Sequence, residues 1–329
     1  MLVATLALFA GARSTAHVTW VEDEPRAVLA ILTKQNPTDA DWQRLWRTEG
    51  YRRLKAREAG MHRAFTDDDF RKFVESPELK AQAAELARTL TAWSRTDFKA
   101  VGQQDMAYLP VNAKLTAKVY PLIKPRHNSF VWDTAKNPAI MLYLDPTESQ
   151  ERFRRTVVHE LHHIGYSSCC PAPEFSAWVK KLPEALQAAW MWIGAFGEGY
   201  AVLAAAGSVE ADPMAPFEPE VQAAWKHGME QVQEDMDTIA KFLTDTVEGT
   251  LKGEAVQAKA AEFYGTQGPW YTLGWIQATT IEKAFGRKRL MECYLDPGKL
   301  MPTYNAALVK THAPYPSWPP ALLKTLGTG

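Results

Sequence analysis

Residues 156–166 read TVVHELHHIGY, which puts three histidines and a glutamate within five positions. On an α-helix turning about 100° per residue, His159 and His163 lie about 40° apart on one face, while Phe153, Val157, Leu161 and Ile164 gather on the other side. The two imidazoles therefore point away from the packing stripe. Local signals mark the helix: Asp145 stands where a cap belongs, Pro146 at the first helical position, Glu148 where it closes a capping box, and Gly165 at the end of the run. A chain built on this helix must bury one of its faces and leave the histidine face open to a cleft.

Two histidines at i and i+4 can aim ring nitrogens at one tetrahedral ion, and Glu160, turned about 100° from His159, can reach a water on that ion. This H-E-x-x-H arrangement is the zincin motif. The competing reading is a solvated helix that carries several histidines. A His159/His162 pair at i and i+3 is less favourable, so His162, on the other flank of His159, is expected to support the ligands or to lie at the surface. A catalytic zinc also needs a third protein ligand and an open fourth position. Glu198 is the expected third ligand, because it is the only charged residue between Ala188 and Gly207. A carboxylate buried there is costly unless a cation offsets its desolvation. Gly194, Gly197 and Gly199 beside it would let helix backbones approach closely. A carboxylate at a helix end, paired with an arginine, is the alternative.

With 329 residues and 46% hydrophobic content, the chain can bury a large core. The expected fold class is α+β and predominantly helical, a zincin-like metallopeptidase core with a small β-sheet before the HExxH helix. Residues 1–16 are expected to be a signal peptide and 17–104 an N-terminal helical region resembling a cap or lid. Residues 105–210 would hold the sheet, the HExxH helix and the Glu-bearing helix, and 211–329 a C-terminal helical region completing the cleft. "AIMLYLDP", just before the HExxH helix, is suited to be an edge strand that pairs with an extended peptide.

Charge narrows the partners: 37 basic and 38 acidic residues give a net charge of −1 with no long block of either sign. Nucleic acid and anionic membranes are therefore not expected partners. The opening "MLVATLALFAGARSTA" has the length of a secretory apolar segment and is too short to span a bilayer, which favours a secreted or periplasmic protein. Without such a signal the protein would be cytoplasmic. Cys169, Cys170 and Cys293 are too few for a disulfide scaffold and allow at most one bridge through Cys293. No companion Cys or His at finger spacing makes a metal site of the adjacent pair.

Three segments, "HELHHIGY", "WIGAFGEGYAVLAAAG" and "YTLGWIQATTIEKAFG", together resemble a bacterial family of inferred zinc-dependent peptidases within the broader HExxH…E gluzincin class. The similarity extends from the N-terminal helices to "YNAAL" near residue 305. It implies Zn2+ held by His159, His163 and Glu198, with Glu160 as general base and a peptide or protein as substrate. An oxyanion donor is also required, and Tyr271, after "QGPW", is the first choice, with a stacked core tyrosine as the competing reading of the same residue. His127 and Tyr200 are held in reserve. The expected function is zinc-dependent peptide hydrolysis. Hydrolysis of a non-peptide amide or ester, or a non-catalytic metal-binding role on the same fold, are the alternatives.

Overall fold

The structure, a computed structural model, describes residues 16–170 and 179–327. The expected signal peptide lies outside them except for residue 16. After strand β1 (His17–Trp20) come six helices: α1 (Asp23–Leu32), α2 (Asp39–Trp46), α3 (Glu49–Gly60), α4 (Asp67–Val74), α5 (Pro77–Trp93) and α6 (Phe98–Met106). Strands β2 (Thr116–Leu122), β3 (Phe130–Trp132) and β4 (Ala139–Tyr143) lead into the long helix α7 (Gln150–Cys169). The remainder is helical: α8 (Glu184–Ile193), α9 (Gly197–Ala206), α10 (Pro219–Glu230), α11 (Val232–Glu248), α12 (Glu254–Glu262), α13 (Pro269–Phe285), α14 (Arg287–Leu295), α15 (Leu300–Thr311) and α16 (Pro320–Thr325). The fold is thus α+β and predominantly helical, with one small sheet. No described helix is long and apolar enough to cross a membrane.

The sheet runs in the order β1-β2-β4-β3, with β1 and β4 parallel to β2 and β3 antiparallel to β4. This corrects the expectation for "AIMLYLDP". β4 is interior, and the edge beside it is the three-residue β3, registered as Phe130 on Met141 and Trp132 on Ala139. Four of the five β4 residues are buried. An unbroken apolar run marks a strand covered on both faces rather than an exposed edge.

α7 also begins later than its apparent signals suggest. Asp145 accepts hydrogen bonds from the Thr147 amide (2.9 Å) and hydroxyl (2.7 Å), closing a turn of its own. Ser149 is the cap, accepting from the Arg152 amide at 3.2 Å. Glu148 turns inward to the Thr156 hydroxyl at 3.2 Å. Nor does Gly165 end the helix, which runs on to Cys169. A Cβ at Gly165 would lie 2.2 Å from Leu109 Cδ1, so glycine is needed there for packing and not for termination.

The apolar stripe of α7 is buried as expected, with Phe153, Val157, Leu161 and Ile164 at 0–2% exposure. α7 meets both the sheet and the N-terminal helices. Trp93 of α5 stacks on Phe153 at 4.1 Å between ring centroids, and the α6 residue Asp105 meets His162 at 3.0 Å. Helices α5 and α6 thus hold α7 from two different sides.

In front, α9 packs against α7 on one side and α13 on the other. The α9–α13 crossing is backbone on backbone: a Cβ at Gly199 would lie 2.0 Å from the Trp275 amide nitrogen, and one at Gly274 would lie 2.5 Å from the Phe196 carbonyl oxygen. Gly197, two residues earlier and so on the opposite side of the helix, has open space. Gly199→Ala is therefore expected to destabilise the fold by about 3 kcal/mol, the upper range for overpacking against rigid atoms. Gly197→Ala should stay within about 0.5 kcal/mol. Thermal denaturation of both variants checks this, and equal effects would contradict the crossing.

Candidate metal centre

α7 presents His159 and His163 one turn apart, and α9 brings Glu198 in its first turn. The carboxylate sits at a helix N-terminus, where the positive end of the peptide dipoles favours it. Glu198 Oε2 lies 3.2 Å from His159 Nε2 and 3.4 Å from His163 Nε2, and the two ring nitrogens are 3.2 Å apart. Bonds of 2.0–2.1 Å to a tetrahedral zinc would separate neighbouring donors by about 3.3 Å. The observed triangle has that size, and its chemistry of two imidazoles and one carboxylate suits a catalytic zinc with one position left open. Among the described residues this is the one group of three or more His, Cys, Asp or Glu side chains arranged to hold a metal ion. All three side chains remain partly open, at 20%, 26% and 17% exposure.

The electrostatics are those of charges packed together. Burial alone would depress the His163 imidazolium, but the Glu198 carboxylate, helped by Glu160 and Asp105, lifts it to about 9. Burial opposes the Glu198 charge, yet His163 and His159 hold its carboxyl well below the usual carboxylate range. Glu160 is raised, chiefly by burial, with the two histidines opposing and Glu198 reinforcing the shift. A carboxylate held above its ordinary value beside a metal site has the affinity for a proton that a general base needs.

Tyr271, near the start of α13, faces the triad, its ring stacked near His159 at 6.2 Å. Burial first, then the Glu198 and Glu160 charges, raise its hydroxyl far above the ordinary value, so it stays a proton donor. Tyr264 stands on the other flank, beside His163 and Glu198, and burial with the Glu198 charge pushes it up to about 12. Nothing in "EFYGTQGPW" distinguishes Tyr264 from a packing tyrosine, and it becomes visible only once the chain is folded. Of the reserve residues, Tyr200 is 4% exposed and stacked on Tyr294 at 4.3 Å, and His127 stacks on Tyr143 at 4.2 Å. Neither joins the triad.

His162 flanks His159 and turns towards α6. It is 1% exposed, and its Nδ1 meets Oδ1 of the fully buried Asp105. Its ring lies against Tyr166 and Tyr294. Among the described residues Cys169, Cys170 and Cys293 are free thiols, so no bridge through Cys293 forms.

Residues 42–313 match the protein family described as "Putative zinc dependent peptidase (DUF5700)". No curated protein and no solved structure matches the chain. The matched span includes α7, α9 and α13 as well as Tyr264 before α13, and so every residue of the triad and both flanking tyrosines. The chain belongs to this zinc-dependent family.

Proposed function

We propose that the protein is a zinc metallopeptidase in which His159, His163 and Glu198 hold the metal and Glu160 is the general base. The observation that carries this reading is the donor triangle, with sides of 3.2, 3.2 and 3.4 Å, drawn from two helices. When bound, zinc supplies an acidified water and a polarised substrate carbonyl. Glu160, one residue beyond His159, takes the proton from that water and hands it to the leaving amine. Its raised proton affinity serves the first step, and its place on the rigid helix keeps it oriented for the second.

Tyr271 is proposed to donate its hydroxyl proton in a hydrogen bond to the carbonyl oxygen as negative charge develops there. It is neutral throughout the physiological range and faces His159 across the cleft. Tyr264 flanks the opposite side of the centre. A secreted or periplasmic location, suggested by the opening apolar segment, accords with a hydrolase acting on peptides outside the cytoplasm.

His163→Ala and Glu198→Ala should each release most of the bound zinc, as measured by metal analysis of purified protein. Glu160→Gln should retain zinc but lose peptide hydrolysis by at least about 100-fold. Unchanged zinc in Glu198→Ala would move the third-ligand role elsewhere, and an active Glu160→Gln would remove the base.

Zinc binding should also release a proton, because a ligating imidazole must be neutral. In metal-stripped protein His163 titrates near 9 rather than at its ordinary 6.5. Calorimetry in buffers of different ionisation enthalpy should find about one proton released at pH 7, falling towards none above pH 9. The same raised pKa stabilises the metal-free fold fully below pH 6.5, and that contribution is lost as pH rises through 9. Zinc binding without proton release at pH 7 would contradict the His163–Glu198 pairing.

A further inference from the structure

The triad sits midway along a seam between α7 and the α8–α9 segment, and a cavity opens at each end of it. On α7, Arg152, Arg155 and Thr156 precede His159 by seven, four and three residues and so share its face. On α9, Val202 and Ala205 follow Glu198 by four and seven and share its face. Arg155, Thr156 and His159 from the first stripe and Val202 and Ala205 from the second frame a cavity of about 180 Å³ on the His159 side. At the other end, Tyr166 and Ser167 follow His163, and Met191, Trp192 and Tyr264 help to enclose a cavity of about 300 Å³. A peptide drawn along the seam with a carbonyl at the triad would place side chains into both.

We propose that the smaller cavity is a side-chain specificity pocket, taking one branched aliphatic or phenyl group from a residue next to the scissile bond. This rests on the peptidase reading above and adds its substrate preference. The walls are mostly apolar: Val202 and Ala205 from α9, with Pro213, Met214 and Phe217 from the proline-rich connector after α9, while Gln267 adds one uncharged amide whose Oε1 is buried without a hydrogen-bond partner. Thr156, His159 and Tyr271 open it towards the triad. A cavity of about 150 Å³ lined by apolar groups can hold a benzene ring, which sets the scale of the group that fits.

The connector wall is held in place from α7. Arg155 Nη1 donates to the carbonyl oxygens of Asp212 (2.7 Å) and Pro213 (2.8 Å), and its Nε faces Glu151 at 3.3 Å. Arg152 pairs with Glu218 and lies over the Phe217 ring. The Asp212 carboxylate accepts from the Met214 amide at 2.9 Å, and the Phe217 carbonyl accepts from the Gln222 side chain at 2.8 Å. The Arg155 guanidinium is thus engaged by two carbonyls and a carboxylate, so the pocket selects by apolar fit rather than by charge. A wall fixed before binding adds little ordering cost on association, which favours selectivity.

The test is a series of peptide hydroxamates, which anchor on zinc, bearing hydrogen, methyl, isobutyl, benzyl or carboxymethyl at the position next to the hydroxamate. Their binding to zinc-loaded protein is measured by calorimetry. Isobutyl and benzyl should bind about 10- to 100-fold more tightly than methyl, the gain expected from burying one such group, and carboxymethyl no more tightly than methyl. Ala205→Leu, which fills the cavity, should abolish the isobutyl and benzyl advantage at unchanged zinc content. Met214→Ala, which removes atoms and so avoids overpacking, should instead admit a larger indolyl group about tenfold better than wild type. Tight binding that ignores the side chain, or a preference unchanged in both variants, would overturn the pocket while leaving the metal centre standing. Failure of every hydroxamate to bind zinc-loaded protein would overturn the peptidase reading and the pocket together.

Discussion

A carboxylate in the first turn of an apolar helix, pressed against two imidazoles from another, is the interaction on which this structure turns. Glu198 lies in a segment that otherwise buries Tyr200 to Ala205, and its charge is tolerable only because positive charge is supplied beside it. A protonated His163 does so in part, and a divalent cation would do so fully. The pairing also requires α9 to stay at a fixed depth against α7. That depth is set behind it, where Gly199 and Gly274 allow two backbones to touch. The metal centre therefore depends on atoms that glycine lacks as much as on the donors themselves.

The α6 side of α7 is organised with similar economy. Asp105 and His162 form a buried polar contact between α6 and α7, surrounded by the rings of Tyr166 and Tyr294. A buried polar pair tolerates little rotation, because turning the helix would strand both groups without partners. With His162 held against α6, His159 and His163 are held towards α9. Trp93 stacked on Phe153 adds a broad apolar contact on a different side of the helix. The N-terminal helices thus serve the cleft by fixing the orientation of the helix that lines it.

The features legible from sequence were those carried by local geometry. The i, i+4 histidines declare a shared face in any α-helix, and a lone Glu198 within an apolar run announces a charge that needs a partner. The small sheet before α7 was also visible, since "KLTAKVYPLI", "NSFVWD" and "AIMLYLD" have β-prone composition. What escaped depended on distant contacts or on competition between equivalent local options. β1 is four residues whose pairing with β2 lies across the whole N-terminal helical region, and the inward position of β4 follows from the short β3 pairing outside it. Asp145 and Ser149 are both competent caps, and Asp145 is used instead to close a turn onto Thr147. Asp105 is 57 residues from His162, and no spacing rule connects them.

X-ray absorption at the zinc edge on purified, zinc-loaded protein examines the central claim most directly, since it reads the atoms around the ion. The account predicts a first coordination shell of nitrogen and oxygen only, near 2.0–2.1 Å, with the outer-shell scattering of two imidazole rings. A shell containing sulfur near 2.3 Å, or one lacking the signature of two histidines, would contradict it.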